Sequence, residues 1–210
     1  MVAALALSGC VGGGGDDRPA EGELARAAGR GDLEAVNVLL RRGASPDDRG
    51  EGDRTAVTAA AYAGAPAVVR ALVDAGADVD LQDETRSNAF LAVGETGDVE
   101  VLREVLRADP DLKRTNRFGG TALIPAADRG HVEMVRALLQ TGVEIDHVND
   151  LGWTALLEAV ILGDGGPAHQ EIVRLLVAAG ARTDLADGDG MTPLAHARSR
   201  GYDEIAELLR

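Results

Sequence analysis

The stretch Thr121-Ala-Leu-Ile-Pro-Ala-Ala-Asp-Arg-Gly130-His-Val-Glu-Met-Val-Arg-Ala-Leu-Leu-Gln-Thr-Gly142 decides the fold of this chain of 210 residues, because its pattern recurs along the sequence. Its first glycine belongs to a series that advances in steps of 33 residues and ends with one step of 38, at Gly31, Gly64, Gly97, Gly130, Gly163 and Gly201. A fixed period of this length indicates stacked structural units, each of which needs a neighbour to cover its apolar face.

The first part of each period predicts a short inner helix. A threonine caps a helix N-terminus well, and a glycine ends a helix because it adopts the left-handed conformation without strain. Nine residues before the repeated glycines stand the expected helix starts, which are threonines in four units: Gly22, Thr55, Asn88, Thr121, Thr154 and Thr192. Five residues further on, small side chains predict close stacking of these helices: Ala27, Ala60, Val93, Ala126, Ala159 and Ala197.

The second part of each period predicts an outer helix and a loop. Acidic residues follow the repeated glycine, as in Asp32-Leu-Glu34 and Asp98-Val-Glu100, where they suit the positive end of the helix dipole. Apolar residues then recur at helical spacing. A second glycine closes most outer helices, at Gly43, Gly76, Gly142 and Gly180, and a polar stretch rich in Asp and Gly leads to the next unit.

These units resemble ankyrin repeats, whose period and Thr-Pro-Leu-His-x-Ala opening they follow. Thr192-Pro193-Leu194 keeps the opening, whereas four other units have alanine in place of the proline. The histidine of the opening is absent, which removes a hydrogen bond between neighbouring repeats; its positions hold Thr58, Leu91, Ile124, Leu157 and Ala195. The resemblance implies an all-α repeat solenoid, an ankyrin array of six helix-turn-helix units joined by β-hairpin loops.

The register divides the chain into eight segments. We expect a lipoprotein signal remnant, a flexible tether and six repeats, of which the first and last act as caps with polar outer faces. In chain order these segments are 1–10 (signal remnant), 11–21 (tether), 22–54, 55–87, 88–120, 121–153, 154–191 and 192–210.

The first ten residues predict a lipid anchor. The run Leu7-Ser8-Gly9-Cys10 resembles the lipobox of bacterial lipoproteins, in which the cysteine is acylated. Cys10 is the only cysteine, and four glycines and two aspartates follow Val11 as a tether. A signal peptide ordinarily begins with basic residues, but the first cationic side chain here is Arg18, so we expect the true start to lie upstream. An apolar N-terminal segment on a cytosolic protein is the alternative.

Composition narrows the classes of partner. Aromatic residues are only 2% of the chain, so its core consists of Ala, Leu and Val, and its net charge is −14. This charge opposes binding to nucleic acids and to anionic membranes, because both require cationic contacts. We therefore expect no nucleic-acid partner, membrane contact only through Cys10, and a monomer.

The sequence contains no pattern that predicts catalysis. Nucleophile elbows, zinc-protease motifs and phosphate-binding loops are absent, and the four histidines lie in different kinds of position. Asp187-Gly-Asp189-Gly190 is similar to part of a calcium loop but lacks its later glutamate, so a hairpin turn explains it better. We expect no catalytic residue, no cofactor and no metal.

The resemblance implies that partners bind in a concave groove formed by the hairpin tips and inner helices. Trp153 and Phe118 lie on neighbouring tips and are the candidate anchors, since aromatic side chains often dominate binding energy. The alternative for Trp153 is a structural contact with the next hairpin. Further candidates on the tips are Met191, Asp150 and Asp187.

The fifth unit holds five extra residues between Gly163 and Glu171, which we expect to lengthen the turn between its helices. Such an insertion is either tolerated or a second contact site. Taken together, the sequence predicts a non-enzymatic scaffold for protein–protein interaction, tethered as a lipoprotein outside the bacterial cytoplasmic membrane. The alternative is a soluble cytosolic adaptor or an immunity-type inhibitor.

Overall fold

The computed structural model describes residues 18–210, so the predicted lipidation site at Cys10 and most of the predicted tether lie outside the described residues. The described part contains six pairs of α-helices. The inner helices are α1 (Glu23–Gly29), α3 (Ala56–Tyr62), α5 (Ala89–Thr96), α7 (Leu123–Asp128), α9 (Ala155–Ile161) and α11 (Pro193–Arg200). The outer helices are α2 (Leu33–Arg41), α4 (Pro66–Asp74), α6 (Val99–Leu106), α8 (Val132–Leu138), α10 (Pro167–Ala178) and α12 (Asp203–Leu208).

The helix pairs stack in chain order into one solenoid. Each inner helix contacts the next inner helix, and each outer helix contacts the next outer helix. The buried core between these two layers consists mainly of Ala, Val and Leu, and Phe90 is its largest fully buried side chain. The predicted all-α repeat solenoid is thus confirmed. Across residues 18–210, none of the helices has the length and apolar character that a membrane span requires.

The predicted helix starts are confirmed in five units, four of which have a capping side chain. The side chains of Thr55, Asn88, Thr154 and Thr192 each accept a hydrogen bond from the backbone N–H three residues later. Such a cap satisfies an N–H group that has no partner inside the helix. These four inner helices therefore begin where the sequence register places them.

The first unit begins at its predicted position but has a different cap, whereas the fourth begins late. Gly22 has no capping side chain, and Asp48 of the following loop accepts hydrogen bonds from the backbone N–H groups of Gly22 (2.8 Å) and Ala25 (3.1 Å) instead. Thr121 is buried, its hydroxyl makes no hydrogen bond among the described residues, and α7 begins only at Leu123. The predicted threonine cap is therefore wrong for this one unit.

The repeated glycine serves contact between units as well as helix termination. Gly97 has a φ of +75°, and a Cβ atom there would lie 2.8 Å from the ring of His131 in the next unit. Gly163 differs, because it is not among the glycines with positive φ, and the chain turns instead at Gly165, with a φ of +71°. A Cβ on Gly163 would still overlap with the carbonyl oxygen of Ala159 and lie 2.6 Å from the ring of His169, both in the same unit. Close packing within the fifth unit thus requires glycine at this position even though the left-handed conformation is absent.

The insertion of the fifth unit enters the outer helix. Helix α10 has 12 residues, whereas the other outer helices have six to nine. It begins with Pro167 at its first turn, a position that suits proline because the missing N–H needs no partner there. The expectation that the insertion only lengthens the turn is therefore incomplete, because the extra residues also add about one helical turn.

Candidate functional site

The loops that connect the units share one turn built around a polar side chain. The first residue of each of four loops is an Asp or Asn whose Oδ1 accepts hydrogen bonds from the N–H groups two and four residues later: Asp83, Asn116, Asn149 and Asp187. A backbone hydrogen bond from the first to the fifth residue closes each loop. Within residues 18–210 the expected hairpins are thus tight turns, and the sole isolated β-bridge pairs Arg49 with Thr55.

Three backbone hydrogen bonds connect consecutive loops, and we call them the loop ladder. Glu84 N–H donates to the carbonyl of Gly52 (3.1 Å), and Arg117 N–H donates to that of Thr85 (3.2 Å). The third bond, of 3.0 Å, runs from Asp150 N–H to the carbonyl of Phe118. The loop ladder fixes four loop tips side by side along the same edge of the solenoid.

The concave cavity is an open depression of about 540 Å³ between these loops and the inner helices α3, α5, α7 and α9. Its loop side carries Phe118 and Leu151, two large apolar side chains that are 54% and 58% exposed. Ile124 and Pro125 of α7 add further apolar lining. Exposed apolar side chains in a concavity are typical of sites that bind another molecule.

One end of the concave cavity is a network of paired polar groups. The Tyr62 hydroxyl donates to Glu95 Oε1 (3.1 Å) and shares a hydrogen bond of 2.8 Å with Ser87 Oγ. The Arg54 guanidinium lies 4.6 Å from the centre of the Tyr62 ring, and its Nε donates to Asp83 Oδ2 (3.1 Å). Burial, followed by the adjacent Glu95 charge, raises the pKa of Tyr62, although the Ser87 hydrogen bond opposes this change. Opposite charges therefore balance at this end.

The other end holds a buried carboxyl group. Glu158 on α9 is only 7% exposed, lines the concave cavity and accepts a hydrogen bond of 2.7 Å from Asn149 Nδ2. Burial and the negative charge of Asp128 raise the pKa of Glu158 to about 7, against the opposing effect of the Asn149 hydrogen bond. Desolvation favours the neutral form of a carboxyl, and a neighbouring like charge acts in the same direction.

The structure distributes the five predicted contact residues unequally. Phe118 lines the concave cavity, and Asp150 is exposed on the next loop, where its N–H belongs to the loop ladder. Trp153 is half-buried at the end of that loop and is not among the residues that line the concave cavity. Met191 is half-buried at the end of the last loop, and Asp187 orders that same loop.

Sequence reasoning missed three features of this site. Leu151, two residues before the predicted Trp153, is a second exposed apolar residue in the concave cavity beside Phe118, and Glu158 supplies a buried carboxyl. The loop-ordering role of Asp83, Asn116 and Asn149 was also missed. Its signal is an Asp or Asn five residues before Asn88, Thr121, Thr154 and Thr192, whereas Gly50 stands at that position before Thr55.

Each of the four histidines hydrogen-bonds to another part of the protein, and three of these bonds go to backbone carbonyls of the preceding unit. His131, His147 and His169 bond through Nε2 to the backbone carbonyls of residues 95, 119 and 128 respectively, which lie in the preceding unit. His196 Nε2 lies 2.7 Å from Asp187 Oδ2. In the part of the chain from residue 18 onward, no three His, Cys, Asp or Glu side chains form a group that could hold a metal ion.

Comparison with known proteins agrees with this architecture. The family described as ankyrin repeats (3 copies) matches residues 24–93 and 89–187. An ankyrin repeat domain from Acinetobacter baumannii AYE has a crystal structure with a TM-score of 0.85 and 49% sequence identity, over 90% of this chain and 96% of that one. A further ankyrin repeat protein of known crystal structure gives a TM-score of 0.86 and 38% identity, over 91% of this chain and 98% of that one.

A shorter similarity links the chain to YahD, an Escherichia coli (strain K12) protein named for ankyrin repeats. The two are 54% identical over 52 residues, which are 25% of this chain and 26% of that protein. Because the family match spans most of the chain and agrees with both solved structures, the chain belongs to the ankyrin-repeat family.

Proposed function

We propose that this protein is a non-enzymatic scaffold that binds a protein or peptide partner in the concave cavity. The observation that carries the proposal is the exposure of Phe118 and Leu151, at 54% and 58%, above inner helices that present both polar and apolar side chains. The loop ladder holds the backbone of both loops in place before a partner arrives, so that less backbone entropy is lost on binding. Trp153, at the end of the loop that carries Leu151, is a further candidate contact.

The test is affinity capture from the native host with the purified chain as bait. Alanine substitution of an anchor residue typically costs 2 kcal/mol or more at a binding hot spot. We therefore expect Phe118→Ala and Leu151→Ala each to weaken retention of the captured protein by about tenfold or more. Trp153→Ala is measured beside them, because its loss of capture would extend the contact beyond the concave cavity.

A matched control is available on the same chain. Leu162 is 51% exposed and follows helix α9 outside the concave cavity, so Leu162→Ala removes a similar apolar area elsewhere. Equal capture by wild type, Phe118→Ala and Leu151→Ala would contradict a binding role for the concave cavity.

We also propose that the array is anchored outside the bacterial cytoplasmic membrane by lipid at Cys10. The support is the sequence Leu7-Ser8-Gly9-Cys10, together with the Gly- and Asp-rich segment between it and the first helix. Acyl chains contribute about 0.8 kcal/mol per buried CH₂ group, and two or more chains give a lasting anchor. A tether of this composition would let the rigid solenoid stand away from the membrane surface.

Fractionation of the native host tests the anchor. We expect the wild-type protein in the membrane fraction, with an acylated Cys10 identified by mass spectrometry, and Cys10→Ala in the soluble fraction. An unmodified cysteine on a soluble protein would contradict the proposal and would favour a cytosolic adaptor or inhibitor.

A further inference from the structure

We propose that the concave cavity recognises a partner segment carrying a lysine or arginine beside an apolar side chain, with the cation held by the carboxylates of Asp128 and Glu158. This proposal rests on the proposed function, since it names the chemistry of the partner that the concave cavity binds. It commits to a protein segment, and not to a free amine or a metal ion, because apolar and acidic groups stand side by side in the same depression.

Every arginine that lines the concave cavity is already engaged. Arg54 pairs with Asp83 at 3.1 Å, and Arg129 lies 3.8 Å from Glu95. The guanidinium of Arg117 lies 4.8 Å from the centre of the Phe118 ring. Each arginine thus already has an acidic or aromatic partner, so none remains to neutralise the carboxylates on α7 and α9.

Asp128 and Glu158 are the two acids of the concave cavity without a cation. Among residues 18–210 neither carboxylate forms an ion pair, and the Oε2 atom of Glu158 makes no hydrogen bond. Glu158 is more than nine-tenths buried, and the two negative charges repel each other. A buried carboxylate that no cation neutralises is unfavourable, and a cation that enters with the bound segment would reduce this penalty.

The surroundings determine what must accompany the cation. Phe118 and Leu151 project from the loop side, so the residue next to the lysine or arginine in the partner must be apolar. The net charge of −14 on the whole chain would also speed the approach of a basic segment. An acidic segment would meet two uncompensated carboxylates and would be rejected.

The experiment is selection from a phage-displayed library of random dodecapeptides against the purified full chain at pH 8, above the pKa of Glu158. We expect enrichment of peptides in which a lysine or arginine adjoins an apolar residue. Synthetic copies in which norleucine replaces the lysine, or citrulline the arginine, should bind at least about tenfold more weakly, because they lose the charge but keep the stem.

The protein variants are Glu158→Gln and Asp128→Asn, which preserve shape and remove charge. Each should lower the affinity for the selected peptides by about tenfold or more, whereas Glu133→Gln should change this affinity by less than about twofold. Glu133 is the matched control, because it has the same charge and its side chain is 75% exposed on the outer helix α8. The norleucine and citrulline peptides use the wild-type protein and so do not depend on how any variant folds.

Three results would overturn the proposal. Selected peptides could show no excess of lysine and arginine, or could bind equally well without the cation. In both cases, loss of their binding in Phe118→Ala would leave the concave cavity as a binding site and reject only cation recognition. A selection that yields no peptide also contradicts the proposal, while capture from the native host decides the proposed function independently.

Discussion

Asn149 connects a loop to the buried carboxyl of Glu158, because one side chain bonds to both. Its Oδ1 accepts hydrogen bonds from the N–H groups of Leu151 and Trp153, and its Nδ2 donates to Glu158 Oε1 at 2.7 Å. The loop with the exposed Leu151 and the buried carboxyl of α9 therefore share one side chain. Asp187 and His196 occupy the equivalent positions of the next unit, with 2.7 Å between Oδ2 and Nε2.

The first prediction concerns the pH dependence of stability. The folded-state pKa of Glu158 is about 7, above its ordinary value of 4.5, so the folded protein holds this proton more tightly than the unfolded chain. The resulting stabilisation is complete below pH 4.5 and is lost as pH rises through 7. From pH 5 to pH 8, the free energy of unfolding of wild type should fall by about 1 to 3 kcal/mol relative to that of Glu158→Gln.

This loss is smaller than the whole difference between the two pKa values would give, because Glu158 borders an open cavity where water screens its charge. The measurement is urea unfolding of both proteins at several pH values, and the difference between the two curves isolates this residue from all other acids. Parallel curves would show that Glu158 titrates near its ordinary pKa.

The second prediction compares two threonines at equivalent positions. Thr154 Oγ1 accepts a hydrogen bond from Leu157 N–H, whereas the buried hydroxyl of Thr121 has no partner among the described residues. Thr154→Val should lower the free energy of unfolding by about 1 kcal/mol, because valine has a similar shape but no hydroxyl to cap the helix. Thr121→Val should be neutral or stabilise by up to about 1 kcal/mol, because it removes an unsatisfied polar group. Urea midpoints measure both, and equal losses would contradict the difference in capping.

The third prediction concerns the ends of the outer helices. Asp109 has a φ of +51° at the position where neighbouring units have glycine, such as Gly142 with a φ of +88°. Asp109→Gly should stabilise the protein by about 0.5 to 1 kcal/mol, because glycine enters the left-handed region without strain. Gly142→Asp is the reciprocal control and should destabilise by a similar amount, since a Cβ there would meet nothing within 4 Å. Thermal unfolding of both variants checks the opposite signs.

The fourth prediction tests how closely two units approach. A Cβ on Gly94 of α5 would overlap with the backbone carbonyl oxygen of Ala122 in the next unit, which a side-chain movement cannot relieve. Gly94→Ala should therefore cost about 2 kcal/mol or more, despite the better helix propensity of alanine. Gly29→Ala places its Cβ at an ordinary 3.7 Å from that of Ala59 and should be neutral or slightly stabilising. A loss of the same size in both would contradict the close approach.

Local signals made the array predictable from its sequence. Capping by Thr55 or Thr192 depends on residues within one helical turn, and the period of the glycines repeats this information in every unit. The exception at Thr121 also has a local signal, which is Pro125 four residues later. Proline has no N–H to donate to the Thr121 carbonyl, whereas Ala59 and Glu158 donate this bond to Thr55 and Thr154 in their units. The late start of α7 coincides with the close contact between Ala122 and Gly94 of the preceding unit.

The site was less predictable because it depends on contacts between units. Glu158 occupies an ordinary helical position, and only the stacking of α7, α9 and the loop of Asn149 makes it a buried acid beside Asp128. Phe118 could be recognised as a candidate because the register placed an aromatic residue at a loop tip. The choice between Leu151 and Trp153 required the direction of each side chain, which a turn determines and a period does not.

The loop ladder also determines how the array yields under force. Its three bonds connect the loops at 50–54, 83–87, 116–120 and 149–153, and among the described residues no backbone hydrogen bond continues to the loop at 187–191. On the loop side, bending between the first four loops must stretch these bonds, whereas bending before the last helix pair stretches none. We therefore expect the joint that precedes α11 to be the most compliant point of that edge, and tension applied through the C-terminus to open the solenoid there first.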